Sequence, residues 1–194
     1  MKRYNLPTRL RHLKFCWIIT NQLLNREATK CGQLSDFYDP KLKRVCLSNE
    51  VYYGNSIASI AIAAHECGHA LQDANNYGLI VFRNKILPYV NISSNIGWGI
   101  LALGFISNSV NFIYIALYLL MFATIFQVVT LPIEINASNR ALRQLCDHCM
   151  IYDSEVLEVK NMLKAAAFTY VAALVSSLAY ILRIFLIFGG NRRR

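Results

Sequence analysis

Charge is what this 194-residue chain has least of. Only 16% of its residues are Asp, Glu, Lys or Arg, and 55% are hydrophobic. An ordinary soluble domain carries about 25% charged residues. The shortfall excludes a well-solvated globule and leaves membrane residence. Acids are scarcer still: 11 Asp and Glu stand against 20 Lys and Arg, a formal net charge of +9. The basic residues are scattered and accompany no nucleic-acid-binding motif, so nucleic acid is excluded as a partner; anionic lipid headgroups suit them better. No secretory signal peptide is evident, because the apolar patch at 15–19 is short and Asn21 and Gln22 follow it. The six cysteines show no spacing of a disulfide framework, and a cytoplasmic setting would keep them reduced. Cys146-Asp147-His148-Cys149 is a lone C-x-x-C with no second pair to complete four metal ligands.

Long apolar runs are what the chain does have. Residues 110–131 contain no charge and are long enough to cross a bilayer. Residues 165–188 form a second candidate with one charge, Arg183. Residues 88–107 form a third, diluted by Asn and Ser; its Gly97, Gly99 and Gly104 would let a neighbouring helix approach closely. The polar link 107–109 makes the first two spans in chain order a helical hairpin, which Pro132 is expected to end. The expected fold is mainly α: an integral membrane helical protein with at most a short β element. A basic, helix-prone leader occupies 1–31 and a single membrane-embedded domain 32–194. Asp39-Pro40 reads as a turn and 44–47 as a strand. Twelve of the 20 Lys and Arg lie in the first ninety residues, including Arg83 and Lys85 just before the first span. This favours the cytoplasm for that part of the chain.

His65-Glu66-Cys67-Gly68-His69 is the most informative stretch. At average composition the three fixed letters arise by chance in about one chain in two hundred of this length. Asn55 and Ser56 are good N-cap residues, and the small and aliphatic residues 57–64 describe a buried helix. Residues four apart share a helix face, so His65 and His69 can point two imidazoles at one metal ion. Glu66 follows directly and can serve as general base toward a water at that metal. This is the zincin pattern. Asn75-Asn76-Tyr77-Gly78 should stop the helix.

A catalytic zinc site usually has three protein ligands. Asp73, Glu134, Asp147, Asp153, Glu155 and Glu158 are the acids that follow the motif. A hairpin that goes out and comes back returns Glu134 to the membrane face of the motif, at the start of helical residues 134–164. From spacing alone, a metal ligand and a carboxylate favoured by a helix dipole are equally good readings of Glu134. Asp73 is either a group that orients a ligand or a solvated helix-end acid. Tyr52, Tyr53, Asn139, Arg140 and Tyr170 are all eligible as oxyanion donors, and strand 44–47 as the edge on which an extended peptide pairs.

Three separated stretches carry a resemblance. LSDFYDPKLKRVCLSNEVYYGNSIASIAIAAHECGHALQDANNY, QVVTLPIEINASNRAL and the tail segment with AAAFTYVAAL closely resemble the bacterial membrane zinc metallopeptidases of the YugP type. The resemblance runs from about Gly32 to the last span. It implies a neutral zinc protease embedded in the membrane, and its E-x-x-A-S element places the third ligand at Glu134, with Ala137 and Ser138 matching. The chain departs from that family in its short leader, in Phe37 where His is common and in Asn136 where Asp is common. Together the readings lead to an expected zinc-dependent metalloendopeptidase with one Zn²⁺ on His65, His69 and Glu134, and Glu66 as general base. Its partners would be peptide or protein substrates, membrane proteins among them, and the lipid bilayer. It would sit in a bacterial inner membrane with the active site facing the cytoplasm. The alternative is a non-catalytic zinc-binding membrane scaffold or interaction protein.

Overall fold

The computed structural model describes residues 29–30 and 36–189. Most of the leader, Cys16, Cys31 and the terminal arginines lie outside the described residues. Three short strands come first: β1 (Thr29–Lys30), β2 (Phe37–Asp39) and β3 (Arg44–Leu47). Five helices follow: α1 (Asn49–Tyr52), α2 (Ile57–Ala74), α3 (Gly78–Ile106), α4 (Val110–Asp147) and α5 (Val156–Gly189). They form two compact units. One comprises the described chain up to Ile80 with Ile133–Ala167, the other Val81–Pro132 with the described residues from Phe168.

In the first unit β3 is the central strand. It runs parallel to β1 and antiparallel to β2, with Tyr38 opposite Val45 and Asp39 opposite Arg44. The turn between β2 and β3 is built by Asp39, whose Oδ1 accepts from the N–H groups of Lys41 and Leu42 at 2.9 and 3.1 Å. Lys43 closes it at φ 51°. Ser48 caps α1 through Val51 N–H, and Ser56 caps α2 through Ser59 N–H at 3.1 Å. Tyr77 N–H bonds Gln72 O at 2.9 Å and Asn76 takes φ 49°, so α2 stops where the Asn-Asn-Tyr-Gly run predicts. The core joins Val45 and Leu47 of the sheet to Ile60, Ala63, Ala64 and Cys67 of α2, with Ala141 and Leu145 of α4 and Val159 of α5 behind them. Alanines along α2 let the sheet and α4 come close; burying each Leu or Ile in this core contributes about 1.5–3 kcal/mol.

In the second unit α3 and α4 form the expected hairpin. Asn108 takes φ 50°, and Ser109 N–H reaches Gly104 O at 3.0 Å. Leu101, Ile113, Leu117, Leu120 and Ile184 make its small core. A Cβ on Gly97 would sit 3.3 Å from Leu119 and Leu120, and one on Gly104 would sit 2.8 Å from Ile113, whereas Gly99 faces open space. Two of the three glycines therefore mark helix contacts. Apolar side chains on α3, α4 and α5 are largely exposed, among them Ile106 at 81%, Tyr118 at 75% and Leu186 at 64%. Among the described residues, three helices are long and apolar enough to cross a membrane.

The structure departs from the sequence reading in five places. Pro132 does not end the second span: α4 runs through it from Val110 to Asp147, as neighbouring groups in membrane helices can absorb a missing N–H. α3 likewise begins at Gly78 and passes through Pro88. The helix expected over 134–164 is broken at 148–155, where Cys149 takes φ 52° and Met150 N–H returns to Leu145 O. Thr29 and Lys30, placed in a helix-prone leader, form β1. Finally, Cys46 is disulfide-bonded rather than reduced, while Cys67, Cys146 and Cys149 are in no disulfide.

Candidate metal centre

The motif lies in the third and fourth turns of α2. His69 and Glu66 are buried, and His65 is nearly so. Helical geometry stacks His65 over His69, their rings 4.8 Å apart and nearly perpendicular. α4 delivers the third group. Glu134 is 1% exposed, and its Oε2 lies 3.1 Å from His65 Nε2 and 3.3 Å from His69 Nε2. One ligand atom from each residue falls within 4.8 Å of the other two. A tetrahedral ion with bonds of about 2.1 Å holds its ligand atoms about 3.4 Å apart, so the spacing suits a zinc-sized ion. A second observation agrees: Glu134 Oε1 is buried without a hydrogen-bond partner. Two imidazoles and a carboxylate are the donor set of a catalytic rather than a structural zinc site.

Gly68 makes this approach possible. A Cβ at Gly68 would fall on the carbonyl oxygen of Ala137, 3.0 Å from its carbon and 3.2 Å from its Cα. α2 and α4 therefore meet backbone to backbone between the ligands, which brings Glu134 and Ser138 of α4 within reach of the imidazoles.

Both imidazoles are held from behind. Ser138 Oγ lies 3.1 Å from His65 Nδ1, and Gln72 Oε1 lies 3.0 Å from His69 Nδ1. Arg140 can only donate, and its Nε bonds Asn136 Oδ1 at 2.7 Å. Asn136 Oδ1 also accepts from Gln72 Nε2 at 3.0 Å, and Ile133 O accepts from the same Nε2 at 2.8 Å. Gln72 must then turn its carbonyl to His69, so Nδ1 carries the proton and Nε2 presents a bare lone pair to the centre. Such outer partners fix the tautomer and the ring plane of a metal-binding histidine. The sequence reading missed Gln72. The sequence shows a Gln three residues after a histidine on one helix, which gives no sign of its burial or its partners. Ser138 stands in the sequence as a letter of the E-x-x-A-S element, and Asn136 as a departure from the family.

Glu66 stands beside the centre. Burial pushes its carboxyl up to about 7; His65 opposes this, Glu134 and Asp36 add to it, and the Tyr38 main-chain N–H, bonded to the carboxylate, lowers it. That hydrogen bond puts β2 next to the motif. Strand 44–47, expected to be the edge for a peptide, is instead the central strand, paired with both β1 and β2. Asp73 orients no ligand. It accepts from Tyr38 Oη at 2.7 Å and pairs with Lys43 Nζ, tying β2 and its turn to the end of α2. Burial, then this hydrogen bond, raises the Tyr38 phenol far above its usual range. Among the oxyanion candidates, Arg140 is committed to Asn136 and lies 5.8 Å from the Tyr77 ring centroid. Cys67 sits in the apolar core, and burial raises the Cys146 thiol. Among the described residues, neither Cys146 nor Cys149 joins a group of three metal-ligating side chains.

Residues 23–189 match the family described as "Putative neutral zinc metallopeptidase". The chain belongs to that family. It is also 44% identical over 161 residues to the "Putative membrane protease YugP" of Bacillus subtilis (strain 168), which covers 83% of this chain and 72% of that protein. No solved structure matches the chain. The family match covers the metal-centre helices and all three apolar helices, so it extends to both units.

Proposed function

We propose that this chain is a membrane-bound zinc metalloendopeptidase whose single zinc ion is held by His65, His69 and Glu134, with Glu66 as general base. The observation that carries the proposal is the convergence of two Nε2 atoms and a Glu134 oxygen, with both Nδ1 atoms anchored on the far side. Family membership and the membrane-protease relative support the reaction class. Bound zinc supplies Lewis acidity, polarising a peptide carbonyl and acidifying water. Glu66 takes the proton from the attacking water and passes it to the departing amine. The Tyr38 N–H holds the Glu66 carboxylate in place for that exchange.

The test is metal content. Purified parent protein should carry about one zinc per chain, and Glu134→Ala less than about a tenth of that, because the ion loses one of three protein ligands. Zinc retained at the parent level in Glu134→Ala would remove this carboxylate from the site.

We also propose that the site faces the cytoplasm. Arg83, Lys85, Arg140, Arg143, Lys160 and Lys164 flank the spans on the motif's side, against the three terminal arginines beyond the last span. The Cys46 disulfide favours the opposite, oxidising face. A single cysteine tag after Arg194 separates the two. Three crossings from a cytoplasmic site expose the tag to a membrane-impermeant maleimide in intact cells, and labelling only after lysis would reverse the orientation.

A further inference from the structure

Polar side chains collect where the second unit should be driest. A cavity of about 360 Å³ opens among α3, α4 and α5, and its polar lining comes from Ser94, Thr124, Gln127, Ser176 and Ser177. Ser176 is eleven residues into the apolar run 165–188 and twelve from its end, at the depth of the hydrocarbon core. Two of these groups are satisfied locally: Thr124 Oγ1 donates to Leu120 O at 3.0 Å and Ser177 Oγ to Ala173 O at 2.9 Å. The Gln127 carboxamide is not. Its Oε1 has one long contact, 3.4 Å from Ser177 Oγ, and its amide nitrogen has no bond among the described residues. Turning the amide over only exchanges which half is unpaired. The Ser94 and Ser176 hydroxyls also lack a partner there. Unpaired amide and hydroxyl groups at this depth are costly, and polar residues kept inside spans mark binding sites or pathways.

What the cavity takes follows from depth and size. Acyl chains offer no hydrogen-bonding group, and headgroups lie at the ends of the spans. A helix about 10 Å across does not fit inside, but side chains projecting from one do. The cavity is open sideways, since Trp98 and Tyr180, packed 5.3 Å apart at its wall, are 49% and 38% exposed.

We propose that this cavity receives the polar side chains of a transmembrane segment of another membrane protein, with Gln127 as the main partner. Resting on the peptidase reading above, it makes substrates membrane proteins whose spans carry an Asn, Gln, Ser or Thr.

The test needs no turnover, so its failure would leave the peptidase reading standing. Full-length protein is reconstituted in phosphatidylcholine–phosphatidylglycerol vesicles. The probes are two dye-labelled, Lys-flanked polyleucine peptides of about 21 residues, one with a central Asn and one without. Energy transfer to labelled protein should show the Asn peptide binding about fivefold tighter, the worth of one or two interhelical hydrogen bonds. Gln127→Leu should abolish that preference and Gln127→Asn should keep it, both with unchanged zinc content as proof of folding. Equal binding of the two peptides by the parent overturns the proposal. So does a preference that survives Gln127→Leu, or a phospholipid that copurifies with the parent and is lost from Gln127→Leu.

Discussion

Glu66→Gln should retain one zinc per chain and lose about 10²–10⁴-fold in peptide hydrolysis, or about 3–5 kcal/mol of transition-state stabilisation. Glutamine keeps the size and the hydrogen-bonding oxygen, so the Tyr38 N–H keeps a partner. What disappears is the ability to accept a proton. Glu66 supplies none of the three converging ligand atoms, so metal content should not move. Stability should hold or rise, because the change removes an acid whose charged form burial disfavours. The measurement pairs zinc analysis with cleavage of a quenched peptide by the same preparation. Two results would be fatal to the general-base role: hydrolysis at the parent rate, or zinc lost together with activity. Should the parent itself bind zinc yet cleave nothing, the chain is a zinc-binding scaffold instead.

Gly68→Ala should weaken zinc binding about 100-fold, although alanine is the better helix former by about 1 kcal/mol. The new methyl falls on the Ala137 carbonyl, with no flexible side chain to give way. The helices must part by roughly 1 Å, several times the ~0.2 Å tolerance of a coordination bond. Overpacking of this kind costs about 1–3 kcal/mol, which outweighs the gain in helix propensity. Gly99→Ala is the control, because nothing stands within 4 Å of its added carbon. Dialysis against a competing chelator should strip zinc from Gly68→Ala and spare both parent and control. If Gly68→Ala holds zinc like the control, the backbone contact is not what sets the ligand geometry.

The parts of the site that follow from helical period were legible in the sequence. His65 and His69 share a face because four residues make about one turn, and Ser56 caps their helix as its side chain allows. The three apolar helices were legible because lipid sets a minimum length for an uncharged run. Glu134 was legible as the acid that the hairpin returns to the motif's side; the motif resemblance then favoured a ligand over a helix-end carboxylate. Gln72 was not read because its role depends on a relay through Asn136 to Arg140, on another helix. Residues 44–47 were legible as a strand but not as the central one; strand order is a property of the sheet, and no local signal revealed that β3 lies in the middle. Pro132 misled for the opposite reason: a strong local rule gave way, and α4 runs on through it.

β2 is fastened to α2 by the Tyr38 main chain at Glu66 and by the Tyr38 hydroxyl at Asp73, with Lys43 of its turn pairing with Asp73 as well. Strand and helix can therefore shift only as one body. On the peptidase reading proposed above, the carboxylate that moves the proton is steered by the strand that grips it as much as by the helix that carries it.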